Sequence, residues 1–396
     1  MVDDETQKNP VHIAARMEEI QPFHVMELLA RARALEAEGR SIIHMEVGEP
    51  DFDTPAPICE AAQHALEQGF THYTQAVGMP ELRERIARFY QTEYGVTLAA
   101  ERIIVTPGAS GALLLALSVL VNPGEQILMA DPGYPCNRNF VRLIEGSTVA
   151  VPVDASTAYQ LTPDLLASHW TENTVGALVA TPSNPTGTVI PVDQLKQMAA
   201  IAKDRGGILL VDEIYHGLVY EGDTYSVLTE TDDVFVINSF SKYFCMTGWR
   251  LGWLVVPEQY ARAVDKLAQN IFIAPPTISQ YAAMAAFEPK TRATLDQHRA
   301  AFKKRRDFLL PALREIGFDI PLTPQGAFYL YADCSRFTDD SYAFVREVLE
   351  KVGVAITPGL DFGDNAPERH VRFSYTTSLE NLQEGVERLG KYLQSR

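Results

Sequence analysis

The chain has 396 residues, 46% of them hydrophobic and 21% charged. That is enough for one large domain or two, with a core removing roughly 75% of the unfolded surface from water, so disorder as the main state is excluded. Its 34 basic residues against 51 acidic ones leave a net charge of −17, which provides no global positive field and makes nucleic acid and anionic membrane poor partners.

Cys59, Cys136, Cys245 and Cys334 form no C-x-x-C pair, and no uninterrupted apolar run reaches ~18 residues. The polar, acidic start lacks a signal-peptide pattern, so a soluble protein of a reducing compartment, the cytoplasm, is expected. In chain order, VMELLARARALEAEG comes first, with helical spacing, just before GEPDF. Between about residues 100 and 257 short apolar runs recur: RIIVTPG, EQILMADPGYP, VGALVATPSNPTG, GGILLVDEIYH, DVFVINSFSK and WRLGWLVVP. Rich in Val, Ile and Leu without strict alternation, they predict strands buried on both faces, and several stretches between them have helical spacing. The pattern predicts an α/β domain with a mainly parallel sheet flanked by helices. Ligands of such sheets sit at the carboxyl ends of strands, and here those ends read GAS, DPGYP, SNPTG, DEIYH and SFSK.

After AQNIFIAPPTISQ the pattern turns to long charged helix-like segments, then FDIPLTPQGAFYLYADC, helix-like SYAFVREVLEKVG, the runs VAITPG and HVRFSYTTS, and amphipathic LENLQEGVERLGKYLQS. This predicts a smaller α+β domain. The expected division is residues 48–285 for the large domain, and 1–47 with 286–396 for the small one, the N-terminal helix packing on the latter.

The chemistry concentrates in Asn184, Asp212, Tyr215, Ser239, Ser241, Lys242 and Arg250. A lone lysine is most often a solvated charge. Lys242, however, follows the apolar run VFVIN through Ser-Phe-Ser, which projects it from a strand end into the expected cleft, where burial and neighbouring charge favour Schiff-base chemistry. By itself ILLVDE resembles the magnesium-holding strand of P-loop ATPases, but the chain contains no G-x-x-x-x-G-K-[ST]. A strand-end aspartate such as Asp212 can instead hold a protonated ring nitrogen. Arg250 can clamp a phosphate with two hydrogen bonds, with Ser239 and Ser241 adding hydroxyls; taken singly, it would serve equally as a surface ion-pair partner.

At these residues the sequence resembles the fold-type I pyridoxal-phosphate enzymes of the class I/II aminotransferases, nearly end to end. The strings VGEPDFDTP, HYTQAVGMPELR, TPGASGAL, DPGYP, TPSNPTG, VDEIYH, SFSKYFCMTGWRLGW and VRFSYTTS carry the resemblance, in family order. It implies pyridoxal 5'-phosphate as cofactor and transfer of an amino group between an L-amino acid and a 2-oxo acid by a ping-pong mechanism. Lys242 would carry the cofactor in a Schiff base and shuttle the proton, and Asp212 would bind the pyridine nitrogen. Asn184 and Tyr215 would hydrogen-bond the ring's phenolic oxygen, with Tyr134 stacked on the ring. Ala109 and Ser110 at a helix N-terminus, with Ser239, Ser241 and Arg250, would form the phosphate cup. Tyr73 would reach that phosphate from the other subunit of a homodimer. Arg372, the Gly48 backbone and Asn184 would hold the substrate. The resemblance also implies a cis Asn184–Pro185 peptide, where propensity alone reads a turn.

Other readings stand beside this one. GASGA resembles a nucleophile elbow, with His216, His298 and His370 available as bases, but no HGGG-like segment precedes it. A carbon–sulfur lyase shares the fold, and a cofactor-sensing regulator would need a DNA-binding module that the sequence before VGEPDFDTP does not show. No second arginine is seen that must serve a distal carboxylate, so a neutral or hydrophobic amino acid is expected, chosen by residues such as Ile20, Phe23 and the YAAMAAF region.

Overall fold

The computed structural model describes residues 12–222 and 224–395. The first eleven residues of the acidic start considered above lie outside them. A short strand β1 (Ile43–His44) precedes the strands β2 (Ile103–Thr106), β3 (Gln126–Asp131), β4 (Ser147–Pro152), β5 (Thr174–Ala180), β6 (Ile208–Asp212), β7 (Val234–Ser239) and β8 (Gly252–Val255). Then come β9 (Tyr329–Asp333), β10 (Val354–Ala355), β11 (Thr357–Pro358) and β12 (His370–Ser374).

β2 to β8 form one seven-stranded sheet in the order β2-β8-β7-β6-β5-β3-β4. All its pairings are parallel except those of β8, which runs antiparallel to β2 and β7. Alternate side chains enter opposite cores. Val105, Leu209, Val211 and Val236 face one cluster, whereas Ile104, Leu210, Phe235 and Ile237 face the other. Both faces are therefore apolar, which is why the runs lack alternation. The six apolar runs each became a strand. β4 had no such run: it is an edge strand, largely open to solvent, and STVAVP is patterned accordingly.

Parallel order sets the strands' carboxyl ends side by side. The register pairs Ala180 with Asp212, Ser239 with Gly252, and Thr106 with Gly252. One edge of the sheet thus presents the loops that follow β2, β5, β6 and β7.

The other unit is built from the antiparallel sheet β11-β12-β9, the parallel pair β1-β10, and the helices Pro289–Glu315, Ser341–Val352 and Leu379–Gln394. The N-terminal helix His24–Ala37 packs on β10 and β11. Its first N–H groups, at His24 and Val25, donate to the Asp361 carboxylate at 2.9 Å each, satisfying donors that a helix start leaves open. Contacts between the two units include the bidentate pair of Arg305 with Asp51, at 2.6 and 2.9 Å.

Candidate active site

β6 ends on Asp212, a buried carboxylate whose Oδ1 accepts the Ile214 N–H at 3.0 Å. Burial pushes its pKa up to about 6, against the Ile214 hydrogen bond and the Lys242 charge. β7 ends on Ser239, whose hydroxyl donates to the Leu251 carbonyl at 3.2 Å and accepts the Ser241 N–H at 3.0 Å. These bonds tie together the two ends of the loop that carries Lys242. Lys242 Nζ donates to the Gly48 carbonyl at 2.7 Å. Burial lowers its pKa to about 8, with Arg372 and Arg250 acting in the same direction and Glu49 and Asp212 opposing.

After β2 the chain turns through Gly108, at φ +70, into the helix Gly108–Leu120, whose first N–H groups face the same edge. A Cβ on Gly108 would lie 2.7 Å from Arg250 Nη2, so the guanidinium rests against the first helical turn. Arg250 donates to the Thr247 carbonyl at 2.9 Å and forms no ion pair among the described residues. From the smaller unit, Arg372 on β12 donates to Asn184 Oδ1 at 2.9 Å and to the Glu46 carbonyl, while its buried Nε has no partner. Tyr215 shares a 2.8 Å hydrogen bond with Tyr329. The Asn184–Pro185 peptide is cis, as are Asp131–Pro132 and Thr181–Pro182.

A cavity of about 400 Å3 gathers these groups. Gly48, Ala109, Ser110, Tyr134, Asn184 and Asp212 line it. So do Tyr215, Ser239, Ser241, Lys242, Arg250 and Arg372. Tyr73 is the exception: it is 81% exposed and lines a separate surface groove with Phe70, Tyr281 and Met284. Of the side chains expected to govern substrate choice, Phe23 lines the cavity and Ile20 does not, while Tyr281 and Met284 of YAAMAAF belong to the Tyr73 groove.

Sequence reading passed over Tyr329, Glu49 and Thr247, which also line the cavity. Glu49 has a readable signal, since it sits in the GEPDF turn beside Gly48. Tyr329 has none, because FYLY reads simply as a core strand. The nucleophile-elbow reading finds no base for Ser110. His216 is buried against Glu213, His298 stacks on Phe52 beside Cys245, and His370 stacks on Tyr331.

The sequence model described as aminotransferase class I and II matches residues 40–389. The chain belongs to that family. It is 40% identical to the valine–pyruvate aminotransferase of Mycobacterium tuberculosis, over 95% of this chain and 97% of that protein. To the aspartate/prephenate aminotransferase of Thermus thermophilus it is 34% identical, over 96% of this chain and 98% of that one. The crystal structure of an aminotransferase from Mycobacterium tuberculosis superposes with a TM-score of 0.94 at 39% identity, covering 98% of this chain and 100% of the other. Such relatives are named for transamination, which favours that reaction over the carbon–sulfur lyase reading. Enzymes of this family depend on pyridoxal 5'-phosphate, and this one is a pyridoxal-phosphate-dependent aminotransferase.

The lining fits that cofactor. Arg250, uncommitted to any carboxylate among the described residues, lies against the helix start at Gly108, so a guanidinium and open N–H groups stand together where a phosphate would be held. Asp212 offers a buried acceptor for a protonated ring nitrogen, and Lys242 an amine of lowered basicity for an aldehyde.

Proposed function

We propose that this enzyme moves the amino group of a neutral or hydrophobic L-amino acid to a 2-oxo acid in two half-reactions, with Lys242 as the covalent anchor and proton carrier. The cofactor, when bound, supplies an electron sink for the pair left when the substrate's α-proton departs. Asp212 would keep the ring nitrogen protonated. Asn184 and Tyr215 would donate to the cofactor's phenolic oxygen, and Tyr134 would lie against the ring. Ala109, Ser110, Ser239, Ser241 and Arg250 would hold the phosphate. Arg372 takes the α-carboxylate, its planar fork matching two oxygens, while the Gly48 carbonyl and Asn184 orient the amine and the guanidinium.

The observation that carries the substrate class is the distribution of charge in the cavity. Among the described residues its cations are Lys242, Arg250 and Arg372, each with a task above, and the rest of the wall includes Phe23, Val25, Met26 and Leu113. Glu49 adds a carboxylate at the mouth. In this chain a side-chain carboxylate would meet repulsion without a partner. The likeness to an enzyme named for valine and pyruvate supports the same class.

We place the enzyme in the cytoplasm as a homodimer in which Tyr73 reaches the phosphate of the other subunit. Its four cysteines are free, and among the described residues no helix is long and apolar enough to cross a membrane. The exposure of Tyr73, together with its apolar surroundings, supports a partner on that face.

The test is a screen of single amino acids against the yellow holoenzyme. Valine, leucine or another neutral amino acid is expected to bleach the visible band, and aspartate is expected to leave it unchanged. Faster bleaching by aspartate or glutamate would overturn the assignment. Borohydride treatment is expected to fix the cofactor on the peptide containing Lys242, and Lys242→Ala to remove both labelling and turnover.

A further inference from the structure

Tyr329 lies on β9 opposite Ser374 of β12 and is 1% exposed, so its place in the fold is that of a core residue. Its contacts are those of an active-site residue. Its hydroxyl meets the Tyr215 hydroxyl at 2.8 Å, and the two rings stand edge to face at 81°. The Arg372 guanidinium lies 4.4 Å above the centre of its ring, with Phe362 on a second side at 4.9 Å. At Gly48 a Cβ would overlap the Tyr329 hydroxyl, so the glycine of GEPDF makes room for it. Tyr215 follows β6 of the large sheet and Arg372 belongs to the smaller unit. Tyr329 touches both.

We propose that Tyr329 is a positioning residue that sets two parts of the site at once: its hydroxyl aims the Tyr215 hydroxyl at the cofactor's phenolic oxygen, and its ring holds the Arg372 guanidinium flat for the substrate carboxylate. The inference rests on the roles proposed above for Tyr215 and Arg372. A hydroxyl has one proton to donate and two lone pairs to accept with. Tyr215 can give its proton to the phenolic oxygen only when the bond between the tyrosines runs from Tyr329 to Tyr215. A donor that itself accepts a hydrogen bond is strengthened. The guanidinium is constrained in the same way. Its Nη atoms donate to Asn184, Glu46 and Thr357, and the ring beneath fixes the plane in which the unpartnered Nε points. The ionisable groups facing the tyrosine pair are Arg372 and Tyr134, with Asp212 and Lys242 across the cavity.

The test compares Tyr329→Phe, Tyr329→Leu and Tyr215→Phe with wild-type holoenzyme, reading the pH midpoint of the visible absorption change and the KM for the best amino acid. A weaker bond to the phenolic oxygen favours its protonated partner state, so the midpoint is expected to rise. For Tyr329→Phe the rise is about half a pH unit, the size of one modest neutral hydrogen bond, with KM nearly unchanged. Tyr215→Phe should move it further in the same direction. Tyr329→Leu removes the ring as well and should raise KM roughly tenfold. A wild-type midpoint in Tyr329→Phe, alongside a shifted one in Tyr215→Phe, would sink this inference and spare the proposed function. No shift in Tyr215→Phe would overturn the role of Tyr215, and the hydroxyl half of the inference with it. Thermal unfolding of each variant separates a damaged fold from a displaced site, and Tyr329→Phe, which keeps the ring, decides the hydroxyl question alone.

Discussion

At the scale of single residues, the decisive quantity is the basicity of Lys242. An ordinary lysine is almost wholly protonated at neutral pH, with a pKa near ~10.4, and a protonated amine cannot attack an aldehyde. Burial brings Lys242 down to about 8, and the nearby guanidinium groups of Arg372 and Arg250 add to the effect. Stripped of cofactor, the protein should therefore recapture pyridoxal phosphate at a rate that climbs with pH through about 8 and then levels off, followed by stopped-flow absorbance. A rate still climbing towards pH 10 would show a solvated lysine. Several of the residues that sequence made legible share one property: each sits next to a strand end, within a short string whose composition is odd for a core. Asp212, Lys242 and Arg250 are of that kind. Tyr329 is not, because its importance lies in a meeting with Gly48 and Tyr215 that no local pattern records.

At the scale of elements, the strand pattern was readable wherever both faces are buried and failed at β4, whose faces are not. The long helix Pro289–Glu315 was equally plain, since its charged and apolar residues follow helical spacing. What periodicity does not reveal is how β1 is locked in place. His44 on β1 bonds Glu46 at 2.7 Å on one side and Glu36 of the helix His24–Ala37 at 3.2 Å on the other. The Glu46 hydrogen bond, opposed by burial and helped by Glu36, raises His44 from 6.5 to about 9. A base whose pKa rises on folding stabilises the fold fully below its unfolded value, and that contribution fades as pH climbs through the folded one. Stability measured by urea unfolding should thus decline between pH 6.5 and about 9. Glu46→Gln should flatten that decline. An equally steep slope in the variant would place its origin elsewhere.

At the scale of the whole molecule, the proposed dimer makes a direct prediction. Sedimentation should give twice the 43.9 kDa of the chain, and Tyr73→Phe should keep that mass while holding the cofactor less tightly. A single-chain mass would remove the reason for Tyr73 to matter. Inside each chain the two units meet at the site through Arg372, which reaches Asn184, and outside the cavity lining through Arg305, which grips Asp51. The large sheet has one strand, β8, running against the rest. Had it been parallel, the chain leaving β7 would have needed a crossover to the opposite edge, carrying Arg250 away from Lys242. Because it doubles back instead, Lys242 and Arg250, the proposed anchor for the aldehyde and the proposed grip on the phosphate, lie in the one loop that joins β7 to β8. The spacing between them is thereby set within the large sheet and owes nothing to the strands of the smaller unit.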